Sequence, residues 1–196
     1  MKAIHEALRA AGISLPSEVP PAHRGELARL ARVLRERGVR SVGLAPAGDD
    51  VAVPAVALGL GNALAEVAAN PVAVVDACGS WDCARAFTEG PVLGDGTPLA
   101  SVWLLDRLAI VSARPKAPGD VLVGLRRALA GGVLLFSHMV VDLTGVDHLG
   151  EQVGALSLLD AGILVARAGR TTTRQVRRKL RDFHGERNLG VLLTGL

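Results

Sequence analysis

The stretch from Ser41 to Asp76 most limits what this chain can fold into. Ser41-Val-Gly-Leu-Ala45 is an apolar run of strand length. Pro46 to Pro54 reads as a loop, about Ala55 to Ala69 as a helix of small and apolar residues, and Val72-Ala-Val-Val-Asp76 as a second apolar run. Strand, loop, helix and strand in that order make a βαβ unit. Runs that are apolar on both faces belong to parallel strands buried beneath helices. The loop after the first strand of such a unit is where phosphates normally sit.

The remaining sequence repeats this alternation. Lys2 to Ala11 is a short amphipathic helix with Ile4 and Leu8 on one face, and Pro16 to Pro21 reads as an extended connector. Ala22 to Arg37 carries Leu27, Leu30 and Leu34 at helical spacing, and Gly38 stops it. Ser80 to Phe87 reads as a short helix and Glu89 to Pro98 as a turn-rich loop. Leu108 to Ser112 is a strand. Asp120 to Ala130 is a helix with Asp120 as N-cap, ended by Gly131-Gly132. A strand ends at Met139-Val-Val-Asp142, Asp147 to Leu159 is a loop and helix, and Gly162 to Ala166 is a strand. Thr171 to Phe183 is a helix with Val176, Leu180 and Phe183 inward, and Leu189 to Leu193 is the last strand. The expected fold is therefore α/β, a three-layer sandwich around a mainly parallel sheet. Residues 1–20 form an N-terminal helix and connector, and residues 21–196 a single domain.

Composition narrows the function classes. With 196 residues the chain can bury a sizeable core, and with three Phe, two Trp and no Tyr that core must come from Leu, Val and Ala. Apolar runs fall short of the roughly 20 residues of a membrane helix, and the first residues lack a signal-peptide core, so an intracellular protein is expected. Cys78 and Cys83 have no partner pair at zinc spacing, so no metal centre is expected and both read as reduced thiols. A net charge of +3 is too small to argue for nucleic acid.

The loop lacks what a phosphate site needs. Such a site uses glycines for close backbone approach, a lysine for the β- and γ-phosphates, and a Ser or Thr hydroxyl for Mg²⁺. Counting back from Asp76 places Val53-Pro54-Ala55 near that Gly-Lys-Ser. Gly48 remains, but Pro54 lacks an N–H. Asp49 and Asp50 add negative charge where a polyanion would sit. Asp76 and Asp142 end strands at the carboxyl edge of the sheet, where ligands of open α/β folds bind. His138 and His148 flank Asp142 in sequence, with Asp147 close by. Arg170, Arg174, Arg177, Arg178 and Arg181 form a basic stripe, to be read as a solvated face or as a surface for an acidic protein or anionic lipid. No aromatic residues interleave with it for base stacking.

In these features the chain resembles the cytoplasmic domain of the bacterial tyrosine kinases of capsule and exopolysaccharide systems, relatives of the ParA/MinD-type P-loop ATPases. The resemblance runs from about Pro21 to Leu196. Glu26-x-x-Arg29-x-x-Arg32 looks like the family's oligomerisation motif. Val72 to Asp76 looks like its Walker A′ strand, with Cys78 where a second Asp is usual. Leu108 to Pro118 resembles its strand and proline-bearing loop, and Val140-Val-Asp142 its Walker B, followed by Leu143-Thr-Gly145 instead of Thr-Pro-Pro. Asp160 to Thr172 is the most family-like stretch.

The resemblance implies a P-loop-NTPase-like fold with a degenerate Walker A loop. With no tyrosine, the chain cannot phosphorylate itself on tyrosine as the family does. The expected function is a non-catalytic pseudokinase that oligomerises through Glu26, Arg29 and Arg32, with Asp76 and Asp142 as vestigial site residues. No cofactor is expected; Mg-ATP enters only under the alternative of a residual ATPase. Expected partners are the chain itself, a paralogous ATPase or a membrane-complex protein, not nucleic acid. Any membrane contact is peripheral, in a cytoplasmic protein that a partner could recruit to the inner membrane.

Overall fold

The computed structural model describes the chain apart from residues 1, 14–22, 82–87, 93–97, 114–119, 148–149, 184 and 196. Eight strands are β1 (Ser41–Pro46), β2 (Val72–Asp76), β3 (Thr88–Val92), β4 (Pro98–Leu105), β5 (Leu108–Ser112), β6 (His138–Asp142), β7 (Ala161–Arg167) and β8 (Asn188–Thr194). The helices are α1 (Lys2–Ala10), α2 (Arg24–Glu36), α3 (Val53–Val67), α4 (Val121–Leu135), α5 (Gln152–Ser157) and α6 (Thr173–Leu180). One sheet joins the strands in the order β3-β4-β5-β2-β6-β1-β7-β8. From β5 to β8 every pairing is parallel, while β4 runs antiparallel to both β3 and β5. The α/β class, the three layers and the mainly parallel sheet are as the sequence implied.

Two apolar layers sandwich the sheet. On one face Ile4, Leu8, Leu27, Leu34, Leu60 and Leu64 pack on strand residues such as Val42, Val74 and Ile163, so α1, α2 and α3 share that side. On the other, Val121, Leu125, Ala155, Leu156 and Phe183 pack on Ala73, Val75, Val141 and Leu164, which places α4, α5 and α6 there. Residues Val72 to Val75 alternate between the two layers and are all fully buried. Full burial of each valine contributes roughly 1.5–3 kcal/mol. Almost every residue of α3 is buried, because α2 covers the side that the sheet does not.

Glycine explains one departure from expectation. Gly131-Gly132 does not end α4, which continues to Leu135. A Cβ on Gly132 would lie 2.5 Å from Met139 Sδ, so the glycine lets the helix approach β6 closely instead of capping it. Gly61 does the same for α3, where a Cβ would fall 2.5 Å from Val74 Cγ2. Asp120 precedes α4 without a side-chain capping bond.

The second departure is the hairpin. Glu89 to Val92 was expected as loop because of Gly90 and Pro91; it is strand β3, paired with β4. Proline is tolerated on an edge strand, where its missing N–H faces away from the ladder. The helix expected over Ser80 to Phe87 does not include Ser80 or Trp81, and residues 82–87 lie outside the described part, as do the Pro16–Pro21 connector, Cys83 and His148. Among the described residues the exposed large apolar side chains are Trp103, Val123, Val133, Leu134, Leu135, Val153, Val191 and Leu193.

Gly61→Ala should destabilise the domain by about 1–3 kcal/mol, because Val74 is β-branched and sits in a central strand that cannot yield. Gly25→Ala, whose Cβ would meet nothing within 4 Å, should be neutral or stabilising. Urea unfolding of both variants against the parent measures the difference.

Candidate functional site

The ladder between β2 and β6 sets Asp76 directly beside Asp142. Neighbouring strands lie about 4.8 Å apart, so two carboxyl groups share one small volume at the carboxyl edge of the sheet. Both side chains are only 1% exposed. Unpaired, two buried carboxylates would be very costly, and each therefore takes a set of donors.

Asp76 Oδ1 accepts from the Ser80 amide at 3.1 Å and, more weakly, from its hydroxyl at 3.4 Å. Its Oδ2 accepts from the Trp81 amide at 2.9 Å. Asp142 Oδ1 accepts from the Thr144 amide at 2.8 Å and the Thr144 hydroxyl at 2.6 Å. Its Oδ2 accepts the indole N–H of Trp81 at 2.8 Å. One residue thus ties the pair together, with its backbone on one carboxylate and its ring on the other. Trp81 is 6% exposed.

Burial raises the Asp76 carboxyl above its ordinary value, opposed by the backbone donors of Trp81 and Ser80. Burial likewise raises Asp142, opposed by Thr144 and Trp81 and reinforced by the neighbouring Asp76. Cys78 lies beyond Asp76 as a free thiol. Burial, with Asp76, Asp142 and Glu151 adding to it, pushes that thiol up to about 11, which leaves it protonated and weakly nucleophilic at neutral pH.

The loop after β1 turns its polar backbone on itself. The Ala47 amide donates to Val165 O at 2.8 Å, Val51 to Gly48 O at 3.3 Å and Val53 to Val51 O at 3.0 Å. Val51 and Val53 are buried in the same apolar cluster as α2 and α3. Helix α3 starts at Val53, two residues before the expected start, and Pro54 occupies its first turn without an N–H to offer. Gly48 does not adopt a left-handed conformation. A Cβ on it would lie 3.3 Å from Asp50 Oδ1 and 3.4 Å from Gln175 Nε2, so α6 closes against the loop. Asp49 and Asp50 are exposed.

The other singled-out residues lie elsewhere. His138 opens β6 and Asp142 closes it, so four steps of roughly 3.3 Å separate them and no His–Asp couple forms. His138 Nδ1 lies 3.1 Å from Ser137 Oγ, and burial lowers its pKa. Asp147 pairs instead with Lys179 of α6. Glu26, Arg29 and Arg32 are exposed on α2, with Glu26 Oε2 and Arg29 Nη2 2.9 Å apart. Beside them a groove of about 320 Å³ runs between α2 and the β7–β8 edge, lined by Leu30, Val33, Ile163 and Leu189. Arg170, Arg174, Arg177, Arg178 and Arg181 are all exposed along and beside α6, on the opposite layer. Among the described residues no group of acidic, histidine or cysteine side chains has the arrangement of a metal site.

Trp81 was missed in the sequence. Its signal was its rarity: one of two tryptophans in a chain with 3% aromatic residues, five positions after a strand-ending aspartate.

No family model matches the chain, and no curated protein matches its sequence. Solved structures share its fold. The BceF tyrosine kinase domain aligns over 97% of this chain and 97% of its own, with a TM-score of 0.61 and 17% identity. The kinase domain of the Escherichia coli tyrosine kinase ETK aligns over 97% of this chain and 93% of its own, at 0.56 and 15%. The chimerical protein CapA2B2 aligns over 98% of both chains, at 0.64 and 14%. The chain has the fold of these bacterial tyrosine kinase domains.

Proposed function

We propose that this chain is a non-catalytic pseudokinase that works by assembling with copies of itself, a paralogous ATPase or a membrane-complex protein. The observation that carries the reading is Trp81, which engages both aspartates at the edge of the sheet. In a tyrosine kinase or ATPase of this fold those carboxylates would serve a water or Mg²⁺. Here the indole and the Thr144 hydroxyl bond Asp142, and the amides of Ser80 and Trp81 bond Asp76.

The residues present do not fit Mg-ATP. The loop contains no lysine, the amides of Val51 and Val53 are bonded within it, and Pro54 has none. Two valines fill space where phosphates would need concave backbone. No transfer step is therefore derived through a nucleotide. What supports assembly is the exposed Glu26–Arg29–Arg32 helix face beside an apolar groove. An exposed ion pair three residues apart holds itself by only about 0.2–0.5 kcal/mol, so exchanging partners costs little. Exopolysaccharide export, or another envelope-associated machine, follows as the setting from the family resemblance.

Titration calorimetry of Mg-ATP and Mg-ADP into the purified chain should show no saturable heat; saturable binding would overturn the pseudokinase reading. Charge reversal at Arg29 and Arg32 should lower the mass in light scattering, and an unchanged mass would remove the assembly surface.

Trp81→Phe should cost about 1.5–3 kcal/mol, since it strips a donor from a buried carboxylate. The sign with pH follows from Asp142. Its pKa already lies above 3.8, and loss of the indole donor raises it further. A raised carboxyl opposes folding only where it must ionise, so the loss should grow as pH rises through the folded-state value and shrink as pH falls towards 3.8. Denaturant unfolding at acidic and neutral pH reads this out.

A further inference from the structure

We propose that the face built by α4, α5 and α6 docks peripherally on an anionic lipid bilayer. This surface stands apart from the assembly helix α2, which lies across the sheet, and does not depend on the state of the aspartate pair.

Three exposed apolar side chains stand together at the end of α4. Val123, Val133, Leu134 and Leu135 belong to α4 and Val153 to α5. Trp103 pairs with Ala109, which belongs to the α4–α6 layer. Val191 and Leu193 pair with Leu164 and Ala166 of that same layer, at the far edge strand β8 and apart from this cluster. Single exposed leucines are ordinary, but a contiguous apolar end is not. Leu134 is 83% exposed and Trp103 52%. The Trp103 ring lies 5.8 Å from that of Phe136, which joins the tryptophan to the end of α4. Arg40 Nη2 donates to Val133 O at 3.1 Å and fastens the last turn of α4 from below. An indole at the rim of an apolar tip is the amphipathic group that settles at a membrane interface.

Charge identifies the occupant. Helices α4, α5 and α6 contain no acidic residue between them, yet they carry the exposed Arg126, Arg127, Arg174, Arg177 and Arg178. The opposite layer mixes signs, with Glu6, Glu26, Glu36 and Glu66 in its helices. Of the acids bordering the cationic layer, Asp147 is paired with Lys179 and Asp182 accepts from Gln152 Nε2 at 3.5 Å, while Asp120 and Glu151 precede α4 and α5. The apolar end of α4 and the arginines of α6 are separated by α5, two helix spacings of roughly 10 Å. An occupant must offer apolar depth at one end and negative charge across that breadth. An anionic bilayer supplies both, and since no described helix is long and apolar enough to cross a membrane, the contact stays at the surface.

The test is co-sedimentation of the full chain with vesicles of phosphatidylcholine alone and of phosphatidylcholine mixed with phosphatidylglycerol. Binding should appear with the mixture only and weaken as salt rises. Arg174→Gln, Arg177→Gln and Arg178→Gln should each lower partitioning about fivefold. Leu134→Asp should abolish it, while Arg9→Gln on α1 should change nothing. All these side chains are exposed, and an unchanged melting temperature confirms folding. Because Trp81 is buried, quenching by brominated lipid should report on Trp103. Equal binding to phosphatidylcholine alone, or arginine variants that bind as the parent, would overturn the proposal. So would a lipid-free oligomer that Leu134→Asp dissociates, since this face would then join two copies of the chain. Loss of vesicle binding leaves the mass change at Arg29 and Arg32 as a separate result, so the two readings fail independently.

Discussion

Two carboxyl groups side by side in the centre of a buried sheet are the constraint around which the carboxyl edge is built. Asp76 and Asp142 face each other because β2 and β6 are in register, and neither reaches bulk water. The fold answers this with short segments that turn back over the strand ends. Ser80 and Trp81 return to Asp76, and Thr144 returns to Asp142. Backbone bonds reinforce them, with the Ala77 amide on Asp142 O and the Leu143 amide on Leu44 O. Three strand ends are thereby stitched together, and Trp81 joins the two carboxylates, its backbone amide on Asp76 and its indole on Asp142.

The loop after β1 follows the same logic by different means. A phosphate loop keeps its amides free and its interior hollow. This one bonds the amides of Val51 and Val53 to its own carbonyls and that of Ala47 to β7, and fills the interior with Val51 and Val53. The result is a β–α connection stabilised as a core element, which places its energy in burial and not in readiness for an anion. The Thr172–Gln175 capping box opens α6 beside that loop, with the amide of Gln175 near Gly48, so the helix layer also closes the space.

Much of this was legible in the sequence. Apolar runs ending on Asp76 and Asp142 gave both strands and their carboxyl edge, because buried parallel strands leave little else for such runs to be. Leu27 and Leu34 on α2, and Val176 and Leu180 on α6, appeared at helical spacing and pack inward. The failures share a cause. Gly131-Gly132, Gly90 and Pro91 are local stop signals, and in each case a tertiary neighbour overrode them: Met139 beneath α4, and β4 alongside β3. The Trp81 bridge was illegible for a similar reason. The distance from Trp81 to Asp142 is 61 residues along the chain and 2.8 Å through space, and only the register of β2 against β6 brings them together.

The two ends of the sheet share a defect. The β3–β4 pairing shifts register between Glu89 and Val92, and β7–β8 shifts between Gly162 and Leu164. At the second shift Gly190 takes a φ of 109° and its amide is claimed by Asn188 Oδ1. Neither outermost strand therefore offers a long straight row of free amides and carbonyls to a stranger. Irregular edges of this kind discourage sheets from growing into one another, the route by which strand proteins clump.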